Sequence, residues 1–174
     1  MKRGRSMFQF HLSSLLLGVL AAVCLAAAAG EPAHEIHDAA EKGDLEKLAR
    51  LVAQGAKVQG FDGYGRTPLQ YAAREGRIEA VRWLLEHGAR ANTADELGTT
   101  ALHEAAGNGQ TEVIRLLLAS GANPKVKGFG GWTPLHYAAE GTPEAVGRLL
   151  AAGANPNAKS LVGATPPALC HTGW

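Results

Sequence analysis

Three groupings of residues in this sequence could do chemistry. His34 and His37 stand three apart, with Glu35 between them and Asp38 and Glu41 nearby, a spacing at which two helical imidazoles can share a metal ion. His136 follows Thr133, Pro134 and Leu135 and stands beside Tyr137 and near Glu140, groups suited to proton transfer. Cys170 adjoins His171, the residue types of a nucleophile and its base. What each can do depends on the elements that carry it.

Those elements become visible when the chain is aligned with itself. Ala-Ala pairs recur at Ala39-Ala40, Ala72-Ala73, Ala105-Ala106 and Ala138-Ala139, every 33 residues. Gly43, Gly76 and Gly109 share that period, and Gly55, Gly88, Gly121 and Gly153 follow it with a last step of 32. Thr67, Thr100, Thr133 and Thr165 mark the unit starts. Thr133 is suited to cap a helix that Pro134 opens, as Thr67 and Pro68 are two units earlier. Gly76 and Gly109 fit left-handed helix ends. A second helix then carries apolar residues at helical spacing, as in Val113, Ile114, Leu116, Leu117 and Leu118.

The segments "GRTPLQYAAREGRIEAVRWLLEHGARAN", "GTTALHEAAGNGQTEVIRLLLASGANP" and "GWTPLHYAAEGTPEAVGRLLAAGANPN" resemble ankyrin repeats, over about Ala33 to Gly163. The resemblance implies an all-α solenoid of stacked helix–turn–helix units joined by β-turn fingers, about four repeats with a truncated fifth. The units fall at 31–61 (an N-terminal cap), 62–94, 95–127, 128–159 and a partial unit or tail at 160–174. In the first unit His34, Glu35 and Ile36 replace threonine, proline and leucine, as a polar terminal cap allows. Repeat three carries Ala101 for proline. Repeat four lacks one residue after its Ala-Ala pair, which predicts a shorter first helix and a second helix started by Pro143. The fifth unit, "GATPPALCHTGW", has no room for a second helix, which predicts association or fraying at that end.

Register gives the tempting histidines a structural reading. His37, Gln70, His103 and His136 are one column, and equivalent residues of stacked units lie about 10 Å apart, too far to share an ion. In the family this position hydrogen-bonds within and between units, and Gln70 can do so while offering no base. Cys170 and His171 lack any oxyanion motif, and no phosphate loop, HExxH, GxSxG or dinucleotide fingerprint occurs. The expectation is a non-enzyme with no cofactor and no metal.

Beyond residue 30 the three bases Lys2, Arg3 and Arg5 drop from the 17 Lys and Arg, leaving 14 against 16 acids, a net of −2. That sign gives no support to a nucleic-acid binder. Residues 1–30 themselves read as an export signal: a basic start, an apolar run from Leu15 to Gly30, and small residues Ala27 and Ala29 before a cut. The alternative is an uncleaved membrane anchor. Val23 stands where a lipobox needs a small residue, against lipidation of Cys24. With Cys24 removed, Cys170 has no partner in the chain. The layout resembles exported bacterial ankyrin proteins and implies a periplasmic or secreted monomer; a secreted effector is a further alternative.

In ankyrin proteins finger tips and the exposed side of the first helix grip a protein partner. Carried over, this implies Gly63, Tyr64 and Arg66, then Glu96, Leu97 and Thr99, then Phe129, Gly130 and Trp132 on the fingers. On the helices it implies Tyr71, Arg74 and Glu75, then Glu104, Gly107 and Asn108, then Tyr137 and Glu140. Five of the eight aromatics beyond the signal fall there. Trp83 is expected in the core. Trp132 and Phe129 suit recognition and finger packing equally. Arg66 and Arg74, beside Tyr64 and Tyr71, could meet an acidic patch, while Arg77, Arg82 and Arg90 are expected to pair with Glu75, Glu79 and Glu86 or with water.

Overall fold

The computed structural model describes residues 32–139 and 141–166. The export segment 1–30, Glu140, the Cys170–His171 pair and Trp174 lie outside the described residues. Among those described, the helices in chain order are α1 (Pro32–Lys42), α2 (Leu45–Ala53), α3 (Pro68–Arg74), α4 (Ile78–Glu86), α5 (Ala101–Gly107), α6 (Thr111–Ala119), α7 (Pro134–Ala138) and α8 (Pro143–Ala151). No strand occurs among them. An isolated bridge joins Ala94 to Thr100 at the base of one finger.

Local chemistry sets these boundaries. Thr67 is extended (φ −99°, ψ 159°), its hydroxyl accepts from the Gln70 amide, and Gln70 Oε1 accepts from the Thr67 amide at 2.7 Å. This reciprocal cap leaves Pro68 at a position where no amide is needed. The first helices α1, α3 and α5 are each followed by a left-handed glycine, Gly43, Gly76 and Gly109. Gly76 lies at φ 66°, and a Cβ there would meet the flexible end of the Gln110 side chain. An alanine would suffer backbone strain and displace Gln110.

The helices stack in two rows. α1, α3, α5 and α7 pack closely in order, whereas α2, α4, α6 and α8 touch more loosely. The Ala-Ala pairs explain the difference, because Ala39, Ala40, Ala72, Ala73, Ala105 and Ala106 are fully buried and let first helices approach. Between the rows lies one continuous core, including Leu48, Leu69, Leu84, Leu102, Ile114, Leu117, Leu135 and Leu149. Trp83 is only half-buried against that core and stacks on His87, centroids 3.8 Å apart.

Two units depart from the pattern. α1 begins at Pro32, ahead of His34, since no threonine interrupts it. In repeat four α7 has 5 residues where α3 and α5 have 7, and α8 opens at Pro143 with Thr142 capping the Ala145 amide. At the far end a fifth finger forms. Ser160 N–H donates to Ala164 O at 2.8 Å, Ala164 N–H returns to Ser160 Oγ at 3.0 Å, and Leu161 N–H ties it to Gly130 O. Leu161 and Val162 on this finger are largely exposed.

One interaction recurs at every joint. Thr100 N–H donates to His103 Nδ1 at 3.1 Å, and Thr133 N–H donates to His136 Nδ1 at 3.1 Å. An imidazole accepting at Nδ1 carries its proton on Nε2. From there His103 reaches Trp132 O at 3.2 Å and His136 reaches Ala164 O at 3.2 Å. Gln70 does the same with Nε2 on Thr99 O at 2.7 Å, and His37 meets Arg66 O at 3.0 Å. Each carbonyl immediately precedes the next unit's threonine. At Gln70, His103 and His136 a single side chain thus caps its own helix and holds the next finger, and His37 makes the second of these contacts.

Burial holds the pKa of His103 down at about 4, below its ordinary 6.5, since a charged ring would lose water. The folded value lies below the unfolded one, so this contribution is intact above pH 6.5 and is lost as pH falls to about 4. Across that window it amounts to about 3 kcal/mol. Urea unfolding should therefore find His103→Gln within about 1 kcal/mol of the parent at pH 7.5, with a flatter decline in acid. His103→Ala orphans the Thr100 amide and the Trp132 carbonyl and should cost about 2–4 kcal/mol. Equal losses from the two variants would contradict the bridging role.

Candidate partner-binding face

Fingers and first helices share one face of the stack, and an unforeseen aspartate organises it. Asp62 Oδ1 accepts from the Tyr64 amide at 2.8 Å and the Arg66 amide at 2.9 Å. Its Oδ2 accepts from Arg66 Nε at 3.0 Å and Tyr71 Oη at 2.7 Å. The side chain is only 5% exposed. Burial alone would raise its pKa, but these four donors outweigh it and hold the carboxyl at about 2. Asp95, one period later, accepts the Leu97 and Thr99 amides in the same turn. The motif D-x-x-G-x-T was present in the repeat at 62 and 95, so self-alignment could have found it.

Gly128 occupies the third aspartate position, and the backbone closure is kept: Gly131 N–H donates to Gly128 O at 3.0 Å, as Gly65 and Gly98 N–H donate to Asp62 O and Asp95 O. With no carboxylate to receive the finger amides, the segment Phe129–Gly131 forms a 3₁₀ turn with Gly130 at φ 64°. Phe129 is left 66% exposed. Tyr64 is 68% exposed on the second unit's finger and Leu97 58% on the third's. Of the expected finger residues these three are exposed together with Gly63 and Glu96, while Arg66 and Trp132 are half-buried and Thr99 is buried.

The expected site residues fall into two clusters. Arg66 lies over the rings of Tyr64 and Tyr71, 4.9 Å from each centroid, and Arg74 over Tyr71 at 5.3 Å. Both guanidinium groups are already engaged: Arg66 by Asp62, and Arg74 by Glu41 at 2.7 Å and Glu75 at 3.0 Å. This revises the expectation that the pair offers positive charge to an acidic partner. Arg82 pairs with Glu79 as expected, whereas Arg77 donates to the Glu41 carbonyl.

The second cluster is aromatic. Trp132 packs edge-on to Tyr137 at 5.9 Å and against His136 at 5.4 Å, and Tyr137 stands edge-on to His103 at 5.3 Å. Trp132 and Tyr137 therefore steady the joints. His37 and Tyr71 form the same edge-on pair at 5.4 Å. Between these two pairs Gln70 replaces histidine and Glu104 replaces tyrosine, so the middle joint lacks its aromatic cover. An open groove of about 510 Å³ begins there, lined by Tyr64, Arg66, Asp95, Glu96, Leu97, Thr99 and Glu104. Asn108 lies at the exposed end of α5 and donates to the Glu104 carbonyl at 2.9 Å.

A family model described as ankyrin repeats (3 copies) matches residues 36–128 and 94–160, most of the chain. The chain belongs to the ankyrin-repeat family. Ankyrin repeats are in general protein-interaction modules and typically non-catalytic. A comparison with curated proteins found no match. Among the described residues of this ankyrin stack, no three His, Cys, Asp or Glu side chains converge as metal ligands, and no helix is long and apolar enough to cross a membrane.

Asp62 should matter to this face more than any exposed charge. Asp62→Ala removes the acceptor of four donors and should lower the melting temperature by about 5 °C. Hydrogen exchange should quicken at the Tyr64 and Arg66 amides and leave the fingers of the third and fourth units protected. Unchanged exchange at those two amides would show that the aspartate does not hold the finger.

Proposed function

We propose that this ankyrin stack is an exported, non-catalytic module that binds another protein through its fingers and first helices. The observation that carries the binding face is where apolar surface is left uncovered. Six of the seven large apolar residues exposed among the described residues are Phe61, Tyr64, Leu97, Phe129, Leu161 and Val162, all in or beside a finger. Leu45 is the exception. Apolar side chains gathered along one edge of a stable stack mark a contact surface, and tyrosine among them is a residue type enriched at interface hot spots. The side chains that the fold does not use are thus the ones offered to a partner.

Export rests on the basic-then-apolar start of the chain and on Ala27 and Ala29 before the cut. A periplasmic or secreted location follows. Retention of that segment as an anchor is the competing outcome, and the intact mass of the mature protein separates the two.

The full-length chain, captured with its partner from the compartment that holds it, should lose that partner when Tyr64→Ala and Phe129→Ala are combined. The double variant should melt within about 2 °C of the parent, because both rings face solvent. Arg82→Ala with Arg115→Ala, on the second helices, should retain the partner. Equal retention by both double variants, or equal loss, would overturn the assignment of the face.

A further inference from the structure

The middle joint is chemically unlike its neighbours. At the first and third joints a tyrosine ring covers the buried histidine of the preceding unit. At the second joint that ring is replaced by the Glu104 carboxylate, half-buried beside Gln70, Tyr71, Arg66 and Arg74. Among the described residues no donor reaches this carboxylate within hydrogen-bond distance. Arg66 and Arg74 influence it only through longer-range attraction, because each is committed to other acids. Gly107, at the helix position of Arg74, adds no side chain to the wall.

We infer that the groove at this joint receives a lysine or arginine side chain of the partner protein, with Glu104 as its counter-ion and Tyr64 and Leu97 holding an adjoining apolar residue. This rests on the finger-face role proposed above and specifies the partner's chemistry. Charge complementarity carries the choice. The groove's acids are Asp95, Glu96 and Glu104, and Asp95 spends one oxygen on two amides of its own finger. The groove's one cation, Arg66, is held by Asp62, outside the groove. An incoming cation thus meets unbalanced negative charge. An incoming carboxylate would find no uncommitted guanidinium and would face Glu104 directly.

Desolvation points the same way. Burial pushes the Glu104 pKa up, the mark of a carboxylate that has lost water without gaining donors. A bound ammonium or guanidinium group would supply them. The mouth of the groove is apolar on both sides, with Tyr64 and Leu97 on consecutive fingers. A basic side chain flanked by a large apolar one matches that pattern.

The test uses pools of synthetic peptides whose central residue is fixed as lysine, arginine, glutamine or glutamate, with leucine and phenylalanine fixed nearby and all other positions mixed. Fluorescence anisotropy with the full-length chain should show lysine and arginine pools binding about tenfold tighter than the glutamine and glutamate pools. Glu104→Gln should erase that preference without lowering the melting temperature, since this carboxylate supports no hydrogen bond in the fold. A preference for glutamate, or a basic preference that survives Glu104→Gln, overturns the inference and leaves the finger-face role standing. Binding by no pool overturns it as well, and the partner-capture comparison of Tyr64 and Phe129 then decides the finger-face role separately.

Discussion

The whole stack depends on one bond pattern: a buried acceptor that takes the amide of its own helix cap, on a side chain that donates to the carbonyl before the next cap. Neutral imidazole and carboxamide both carry an acceptor and a donor at suitable separation, which is why His37, Gln70, His103 and His136 can share a column. The pattern is directional, so it fixes register between units where apolar packing alone would allow sliding. Buried polar groups cost most when unpaired, and Gln70, His103 and His136 are each paired at both ends. The threonine caps, the alanine pairs and the finger turns all follow from holding that geometry.

A fold maintained this way leaves most of one face chemically unconstrained, and the sequence uses that freedom unevenly. Trp132 and Tyr137 are drawn into the joints, and Arg66 and Arg74 into ion pairs beneath the fingers. Tyr64, Leu97 and Phe129 are not. The middle joint also exchanges a ring for a carboxylate without losing its bridge, because Gln70 still reaches Thr99 O. Joint-holding and solvent-facing side chains therefore separate within a single unit, as Gln70 and Tyr64 do.

Much of the architecture was legible in the sequence because repetition multiplies weak local signals. A lone Thr-Pro is a poor helix marker, but Thr67-Pro68 and Thr133-Pro134 in register with two glycine series identify unit starts. The missing residue in repeat four likewise translated into the shortened α7 and the start of α8 at Pro143. Less was legible on the candidate face, since sequence register gives position but not engagement. Nothing in the residue types says that Arg74 is claimed by Glu41, 33 residues earlier, or that Trp132 packs sideways onto Tyr137. Asp62 went unrecognised because acids in turns are common. Its four donors come together only when the finger folds back over α3.

The bridge is most directly tested by the protonation state of its imidazoles. Long-range nitrogen–proton correlation spectra of the folded chain at neutral pH report which ring nitrogen carries the proton. His103 and His136 should each show a bare Nδ1 and a protonated Nε2, and His103 should keep that form well below pH 6. Protons on Nδ1, or a charged His103 ring at neutral pH, would contradict the account at its central joint.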